Sequence, residues 1–533
     1  MYESSAPRGG GVTGAALLGA LVTTPGLFTR PLLAMDETRY APVALEMLQR
    51  GDWLVPHLNG ETYSHKPPLL FWLVLAGWKV VGVSEVWARL VAPLAGIVAL
   101  VLVTSLARAL WPHDKRIRRW VPVITAGALG WMSFGSFFMF DTLLTCSALL
   151  ALLGVVQAVE HDRRRGIVML ALGITLGVLS KGPVILMHVL PAALVAPWWA
   201  TPRAGRRWST WYLSLLGGVL LGAAGALCWA IPAGIAGGPA YQHAIFLGQT
   251  AGRLTDSFAH RRAFWWYLPL LPALLFPWFA WPEAWRSLGA LRRAPREAGV
   301  RFCIAWSACG LLAFSLVSGK QLHYLLPFVP ALALLLARGL SQREAAHLER
   351  PWLAAAVIAL LGAAVIVMGI WPPAAAALWW PHDALAWWFA LLPMGAAVML
   401  VGWQRGRITR NAALHVLAAS SAVLLCGLQL AAARAALVPY DTTPMAAAVK
   451  QAIDAGRPVA MLGTYNGEYH FAARLRDVHI DVLPPADADA WLQSHPTGLL
   501  LRYDRGRTPP PMRDIVARHP FRNGWATLAA SVP

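Results

Sequence analysis

The chain is long, apolar and basic: 533 residues, 57% hydrophobic and only 13% charged, with mean hydropathy +0.52 and formal net charge +19. Soluble globular domains carry about 25% charged residues, so this composition indicates a membrane protein. The basic residues form short clusters between apolar runs, as in the cytoplasmic loops of polytopic membrane proteins. The sequence is therefore unlike that of a nucleic-acid-binding protein, and we expect no nucleic-acid partner.

Runs of about 20 mostly apolar residues predict membrane-spanning helices. They fall near 12–29, 87–108, 120–139, 142–160, 166–181, 183–200, 209–233, 264–284, 300–318, 322–340, 352–371, 386–403 and 411–432. The first run follows Arg8 like a signal peptide, but no convincing small-residue cleavage site comes before the next polar loop. We interpret it as a retained first helix. The five cysteines lie within apolar runs and show no metal-ligand spacing, so no disulfide framework is expected.

The run 67–83 is also long enough to compete for a place in the membrane. If it does not cross, the basic clusters at 108–119, 163–165, 203–207, 292–301, 343–350 and 405–410 share the side of the N-terminus. If it crosses, all of them lie outside, against the positive-inside rule. We therefore predict that 67–83 is an interfacial or re-entrant helix entered through Pro67 and Pro68. The fold class is then mainly α, with 13 spans, a cytoplasmic N-terminus and an external C-terminus.

About 100 residues after the last span change character, and helix-like stretches there alternate with strand-like ones. Such alternation is typical of a small α/β layer domain. The predicted domains are therefore 1–436, a transmembrane part with an external juxtamembrane loop at 30–84, and 437–533, an external α/β domain.

This topology gathers ionisable residues on the outer face, where they are costly unless they are paired or used. Asp36 and Glu37 stand at the start of the first external loop, and Asp141 stands at the outer end of a span. A carboxylate there can act as a general base toward an acceptor. Alternatively, Asp36 and Asp141 each cap a helix N-terminus, and both roles can coexist. The sequence leaves open whether the two aspartates meet.

The same outer face carries cations. The positive-inside rule concerns cytoplasmic loops, so it does not account for them. Cations brought together at a dry interface suit a phosphodiester and stabilise it as it leaves, whereas solvated loops or lipid headgroups explain most single cations equally well. Lys181 and Lys320 are the hardest to explain in that way, because each stands between two apolar runs. The set is Arg39, Lys66, Lys181, Arg253, Arg261, Arg262 and Lys320.

Histidines also occur in the external segments, at His57, His65, His243, His260 and His323. No two of them stand at i, i+4 on a helix with a third ligand in view. We interpret them as structural or hydrogen-bonding residues, predict no metal site, and expect no required cofactor.

Several short motifs, taken together, resemble the bacterial lipid A aminoarabinose transferases, which belong to the larger GT-C group with the protein O-mannosyltransferases. The motifs are Asp36-Glu37-Thr38-Arg39-Tyr40, residues 51–58 (GDWLVPHL), Tyr63 with Lys66-Pro67, Asp141, Lys181-Gly182, His260-Arg261 to Tyr267, and Gly319-Lys320-Gln321-Leu322 with Tyr324. The resemblance covers most of the membrane part.

The resemblance implies an inverting transfer of a sugar from an undecaprenyl-phosphate carrier on the periplasmic face of the bacterial inner membrane, with a lipid A phosphate as acceptor. Asp36 would be the principal catalytic carboxylate and Asp141 the second. The donor phosphate and its pocket would be contacted by Arg39, Tyr40, Tyr63, Lys66, Lys320 and Tyr324. We assign possible acceptor binding to Glu37, Lys181, Arg253, His260, Arg261 and Arg262. We expect a monomer surrounded by membrane lipids.

Two departures leave the sugar and the acceptor open. His65 replaces the glutamate expected before Lys66, and residues 248–253 (GQTAGR) differ from the family pattern there. One alternative is therefore a transferase of another sugar, mannosyltransferase-like, that acts on a protein or another glycan. A transporter of lipid-linked sugar is a third hypothesis. Transporters usually place ionisable residues near the bilayer midplane, often in repeated halves, and neither feature is evident in this sequence.

Overall fold

The chain folds mostly into helices, as its apolar runs predict. The computed structural model describes residues 10–248, 261–293, 295–343, 348–371, 387–402, 408–433, 436–506 and 513–531. Within these ranges, eight helices are long and apolar enough to cross a membrane. They are Gly10–Thr29 (α1), Glu85–Leu110 (α4), Asp141–Glu160 (α7), Trp208–Leu247, Ala298–Leu316, Leu322–Gln342, Trp352–Ile370 and Arg410–Ala432. A further helix, Arg163–Lys181 (α8), matches the predicted run at 166–181.

Three predicted spans are not single uninterrupted helices. The run at 120–139 divides into Lys115–Gly127 (α5) and Leu129–Gly135 (α6), with extended backbone at Ala128 between them. The run at 183–200 divides into Ile185–Leu194 (α9) and Ala196–Trp199 (α10). The run at 264–284 becomes short pieces at Leu268–Leu270, Leu271–Leu274, Trp278–Ala280 and Pro282–Ala290. Prolines lie in or beside most of these pieces, and proline removes a helical hydrogen bond and clashes with the preceding turn.

The first external loop contains two short helices, Glu37–Arg50 (α2) and Leu69–Val81 (α3), and a small hairpin of His57–Leu58 (β1) with Glu61–Thr62 (β2). At 1.5 Å per residue, the 13 residues of α3 reach only about two thirds of a bilayer core. The helix packs its buried face against α2 and α4. This geometry agrees with an interfacial or re-entrant segment rather than a span.

The tightest helix pair is α7 with α8, and it is built on glycines. A Cβ placed on Gly154, Gly166 or Gly173 would stand 2.2 to 2.5 Å from backbone atoms of the facing helix. Small residues allow membrane helices to approach this closely. The pair therefore fixes the first residue of α7, Asp141, beside the last residue of α8, Lys181.

The C-terminal region forms an α/β unit around a five-stranded mixed sheet. The strands are Val459–Leu462 (β3), Asp481–Leu483 (β4), Leu499–Arg505 (β5), Ile515–Phe521 (β6) and Gly524–Ala529 (β7), in the order β4-β3-β5-β7-β6. β3 is parallel to β4 and β5, whereas β7 is antiparallel to β5 and β6. Helices Thr443–Asp454 and Ala488–Ser494 flank the sheet.

This unit is attached to the first external loop by specific contacts. The Asn59 side chain exchanges two hydrogen bonds with the backbone of Ile480, at 2.8 and 2.9 Å. The rings of Trp78 on α3 and Phe471 stack at 5.8 Å. The C-terminal unit therefore covers the loop that carries Asp36, the predicted principal catalytic residue.

The helices that follow α10 in the chain, several of them among the eight candidate spans, complete the transmembrane part. They include Trp208–His243, Ala298–Ile304, Gly310–Leu316, Val329–Gln342, Trp352–Ile370, Leu391–Gly402 and Arg410–Ala432. A π-helical turn at Ala305–Cys309 joins two of them, and the segment Leu322–Phe328 is a 3-10 helix. That 3-10 segment packs against α7 and carries His323 and Tyr324.

Candidate active site

Asp36 immediately precedes α2 but does not cap it through its side chain. Its backbone is helical, and its carboxylate makes no capping hydrogen bond. Instead, one oxygen, Oδ1, accepts hydrogen bonds from the Arg39 guanidinium and the Tyr40 hydroxyl, each at 2.9 Å. The carboxylate is 45% exposed, so it is both oriented and accessible. The capping alternative therefore fails for this side chain, and an accessible carboxylate with a fixed orientation remains.

Tyr40 joins Asp36 to the buried aromatic cluster at the top of α7. Its ring meets that of Phe140 edge to face at 4.9 Å and that of Phe138 at 6.3 Å. Burial, followed by the charge of Asp36, holds the pKa of the Tyr40 hydroxyl well above its usual value. The phenol stays protonated and keeps donating its hydrogen bond to Asp36.

Arg39 stands beside Asp36, and Tyr63 contributes to its electrostatic surroundings. Burial lowers the pKa of the guanidinium, but its interactions with Tyr63, Tyr40 and the Asp36 carboxylate outweigh that effect and raise it. Tyr63 is itself buried and packs on His65, with ring centroids at 5.3 Å. A permanently charged guanidinium therefore lies next to the accessible carboxylate.

Lys66 lies near the two aromatic rings that adjoin the acidic groups. Its ammonium nitrogen is 5.9 Å from the centre of the Tyr40 ring and 5.6 Å from that of Phe140, the residue before Asp141. Cations at such distances over ring faces are attracted to the π-electrons. This placement leaves a cation beside the rings that connect Asp36 to Asp141.

Asp141 is buried at the first residue of α7 and is neutralised by Lys181. The two side chains form an ion pair at 2.6 Å. His323 approaches the other carboxylate oxygen at 4.0 Å. The Lys181 ammonium also lies 4.7 Å from the centre of the Tyr324 ring. This cluster joins the ends of α7 and α8 to the 3-10 helix at Leu322–Phe328.

The two predicted carboxylates belong to one site. The Tyr40 hydroxyl donates a hydrogen bond to Asp36, and the Tyr40 ring packs on Phe140, the residue before Asp141. The sequence could not establish this proximity.

Glu37 does not belong to the open part of the site, contrary to the prediction that it binds the acceptor. Its side chain is 2% exposed and is paired with Arg30, one contact measuring 3.0 Å. It also accepts hydrogen bonds from the backbone N–H groups of Leu33 and Phe138, at 2.8 and 2.7 Å. These partners hold the loop to the start of α7, so Glu37 is a structural residue without room for a ligand.

The Lys320 side chain fastens a turn. Its ammonium donates to the backbone carbonyls of Arg262, at 3.2 Å, and Val317. An isolated β-bridge between Arg261 and Gly319 joins the same two segments. Both arginine side chains are exposed. Of the other residues predicted to bind the acceptor, Arg253 and His260 lie outside the described residues.

Two contributors were not assigned to the site from the sequence. His323 was interpreted only as a structural histidine, although it follows Lys320 within the quoted motif. Glu468 lies in the C-terminal unit, more than 400 positions from Arg39, yet the Arg39 charge contributes to the electrostatic surroundings of its carboxylate. Its loop reaches β1 and α2 closely, since a Cβ on Gly467 would stand 2.5 Å from the Leu58 side chain on β1 and 3.6 Å from the Pro42 side chain on α2. No sequence signal connects such distant positions.

Glu468 is buried and held within its own loop. Its carboxylate accepts hydrogen bonds from the backbone and side-chain nitrogens of Asn466, at 2.9 and 3.1 Å. Burial raises the pKa of Glu468, while the Asn466 bonds and Arg39 oppose that effect. The C-terminal unit therefore adds an acidic group behind Arg39.

The described side chains of the site are carboxylates, cations and tyrosines. No group of three or more histidine, cysteine, aspartate or glutamate side chains lies close enough to hold a metal ion in the part of the chain that the structure describes. Instead, each carboxylate is paired with nitrogen donors. The arrangement suits an anionic ligand between cations, next to a carboxylate that can accept a proton.

The sequence is similar to those of known sugar transferases. Residues 15–248 match the family "Dolichyl-phosphate-mannose-protein mannosyltransferase". The undecaprenyl phosphate-alpha-4-amino-4-deoxy-L-arabinose arabinosyl transferase of Pectobacterium carotovorum is 34% identical over 66% of this chain and 64% of its own length. The corresponding enzyme of Pseudomonas aeruginosa is 32% identical over 58% of this chain and 55% of its own. The chain thus aligns with less than two thirds of the length of these relatives.

The fold extends the similarity over the whole chain. The crystal structure of ArnT from Cupriavidus metallidurans bound to undecaprenyl phosphate superposes with a TM-score of 0.74, at 20% identity, over 99% of both chains. The apo structure of that protein gives the same TM-score at 19% identity. The chain therefore has the polytopic fold of that protein, and the sequence similarity to the arabinosyl transferases agrees with the resemblance in its motifs.

Proposed function

We propose that this chain is an inverting glycosyltransferase that moves a sugar from an undecaprenyl-phosphate carrier to a phosphate of lipid A or of a related envelope glycolipid. The proposal rests on the packing of the Tyr40 and Phe140 rings between Asp36 and Asp141, with Lys66 over both rings and Lys181 paired with Asp141. The names of the relatives, which specify an undecaprenyl phosphate-linked amino sugar, support the donor and the aminoarabinose unit.

In the proposed reaction, the bond between the anomeric carbon of the sugar and the donor phosphate oxygen breaks. The acceptor oxygen forms the new bond from the opposite side, and undecaprenyl phosphate leaves with the bonding electrons. Asp36 accepts the proton of the attacking group, since its carboxylate is accessible and oriented by Tyr40 and Arg39. Lys66 and Arg39 stabilise the charge that accumulates on the leaving phosphate.

The other residues of the site have supporting roles. Asp141 positions Lys181, and Lys181 adds positive charge to the pocket and lies over the Tyr324 ring. Tyr63 supports Arg39 through their electrostatic contact, and Lys320 fixes the turn that precedes Tyr324. We assign the acceptor to the side of Arg253, His260, Arg261 and Arg262. No metal or organic cofactor takes part in this scheme.

The proposed topology has 13 spans, counting segments whose helices are broken by proline. The N-terminus is cytoplasmic, and the active site and the domain 437–533 are periplasmic, with 1–436 forming the transmembrane domain of a monomer in the bacterial inner membrane. The distribution of basic clusters supports this orientation. The docking of the C-terminal unit on the loop that carries Asp36 requires both to be on one side.

The match to the mannosyltransferase family over residues 15–248 favours a second candidate, the transfer of mannose to a protein. The test is transfer by the purified protein in lipid nanodiscs. The donor is undecaprenyl phosphate carrying 4-amino-4-deoxy-arabinose or mannose, and the acceptor is lipid A or an unfolded peptide. Product masses are measured by mass spectrometry. We expect addition of the amino sugar to lipid A. Addition of mannose to the peptide, with lipid A unmodified, would replace the first proposal by the second.

A further inference from the structure

A cavity lies between the C-terminal unit and the helices of the external loop, away from the aspartates. Its volume is about 430 Å³. Apolar side chains of α2 and the turn after α3 form one side, and two arginines of the C-terminal unit form the other. The lining residues are Leu45, Leu48, Gln49, Val83, Arg474 and Arg476.

The cavity is separate from the proposed reaction centre. Asp36 precedes the first turn of α2, whereas Leu48 lies in its last turn. At 1.5 Å per residue, these positions are about 18 Å apart along the helix. A molecule held in the cavity is therefore not the reacting donor.

The two arginines provide positive charge without strong internal neutralisation. Within the described ranges, neither Arg474 nor Arg476 forms an ion pair with a carboxylate at 4.0 Å or less. The charge of Glu85 reaches Arg474, but the Glu85 carboxylate is itself bound by Arg89 at 3.0 Å. Both arginine side chains are exposed, and the Arg474 guanidinium is held 4.2 Å above the Phe471 ring. Such a pair is suited to a phosphate group.

An apolar surface leads from the cavity along the membrane part. Val80 and Val81, at the end of α3, are 84% and 61% exposed, and Val83 itself is 38% exposed. α4, a candidate membrane span, begins two residues after Val83. Exposed apolar side chains continue along α4 at Val86, Leu94, Ile97, Val98 and Val101. Arginines at the level where a span begins, above an exposed apolar strip, match the headgroup and acyl chains of a phospholipid.

We propose that this cavity binds an anionic phospholipid of the bilayer, with its phosphate on Arg474 and Arg476 and its acyl chains along Val80, Val81 and α4. The lipid connects the C-terminal unit to the external loop and to the membrane surface. The site does not depend on the proposed sugar transfer, because it involves none of the residues assigned to that reaction.

The test is native mass spectrometry of the full chain released from mixed micelles that contain phosphatidylglycerol or phosphatidylcholine. We expect the wild type to retain phosphatidylglycerol in preference to phosphatidylcholine. The double variant Arg474→Gln/Arg476→Gln should retain about tenfold less phosphatidylglycerol, the loss of roughly one charge-assisted hydrogen bond. Arg505→Gln, at an exposed arginine elsewhere on the C-terminal unit, is the matched control and should retain the wild-type amount.

A second variant distinguishes loss of lipid binding from misfolding of the double variant. Val81→Asp leaves both arginines intact but places a charge in the path of the acyl chains, so it should also lose phosphatidylglycerol while its elution on size exclusion is unchanged. Equal retention of both lipids by the wild type would overturn the proposal. So would full retention by the double variant, or displacement of the lipid by an equal concentration of inorganic phosphate.

Discussion

The ammonium group of Lys181 lies 2.6 Å from a carboxylate oxygen of Asp141, and the two side chains are only 10% and 2% exposed. Each charge is costly to bury alone, so each depends on the other. Because the pair joins α7 to α8 beneath His323, it couples the integrity of the helix bundle to the electrostatics of the site.

A double-mutant cycle tests this dependence. Asp141→Asn and Lys181→Met should each lower stability by roughly 3–5 kcal/mol, because each leaves one buried charge uncompensated. The double variant should lose much less than the sum, since both charges are removed together. Thermal unfolding in one detergent measures all four proteins. Additive losses would show that the pair is not coupled.

Glu37→Gln should impair stability rather than acceptor binding. The substitution leaves the buried Arg30 guanidinium without its counter-charge, a change that typically costs about 3–5 kcal/mol. The folded fraction should retain its KM for the acceptor. Thermal unfolding and steady-state kinetics separate the two effects. A raised acceptor KM with unchanged stability would restore the acceptor-binding role.

Lys66→Met should weaken use of the donor without unfolding the protein. Lys66 lies over the Tyr40 and Phe140 rings at the site, and loss of a cation at a developing phosphate charge commonly lowers the rate by about 10²-fold or more. The matched control is Lys79→Met, because Lys79 lies on α3 over the Trp53 ring. Donor titrations should show a lower kcat/KM for the first variant only. Equal kinetics in both variants would mean that Lys66 meets lipid headgroups alone.

His470 gives the C-terminal unit a pH-dependent stability. Burial lowers the pKa of its imidazole, which accepts a hydrogen bond from Tyr465 at 2.8 Å and contacts the Val478 carbonyl at 3.2 Å. As pH falls through the ordinary histidine value of about 6.5, the unfolded chain binds a proton before the folded chain does. The free energy of unfolding should therefore decrease as pH falls.

The measurement compares thermal midpoints at about pH 7.5 and pH 5.5. His470→Gln should show a smaller decrease between the two than the wild type, because it lacks that titration. His113→Gln, at an exposed position in a different loop, should match the wild type. An unchanged pH dependence in His470→Gln would contradict the assignment.

Much of the helical fold followed from the sequence, because spanning length and charge bias are local properties of the chain. The interpretation of 67–83 as a non-spanning segment agrees with the 13-residue helix α3. The prolines of 264–284 are evident in the sequence. How they divide that run into short pieces depends on the neighbouring helices. At Ala128, for example, the break is matched by a 2.7 Å hydrogen bond from Leu129 to the Phe276 carbonyl.

The site was predictable as a set of residue types but not as a geometry. Asp36, Lys66 and Asp141 were found because charged side chains are rare beside apolar runs. Burial decides the rest: Glu37 adjoins Asp36 in the sequence, yet one side chain is 2% exposed and the other 45%. The neighbour relation between Arg39 and Glu468 depends on how the C-terminal unit docks, which no local pattern records.

The central claim is that Asp36 is the catalytic carboxylate of a sugar transferase. Its most direct test is the rate of sugar transfer from undecaprenyl phosphate-linked aminoarabinose to lipid A by purified Asp36→Asn in nanodiscs. Asp52→Asn is the matched control, because Asp52 lies on the same loop, where one oxygen accepts backbone hydrogen bonds from Leu54 and Val55 and the other faces His57 at 4.0 Å. We expect Asp36→Asn to lose about 10²- to 10⁴-fold in kcat with unchanged thermal stability, while the control stays near the wild-type rate. Wild-type turnover by Asp36→Asn would contradict the account.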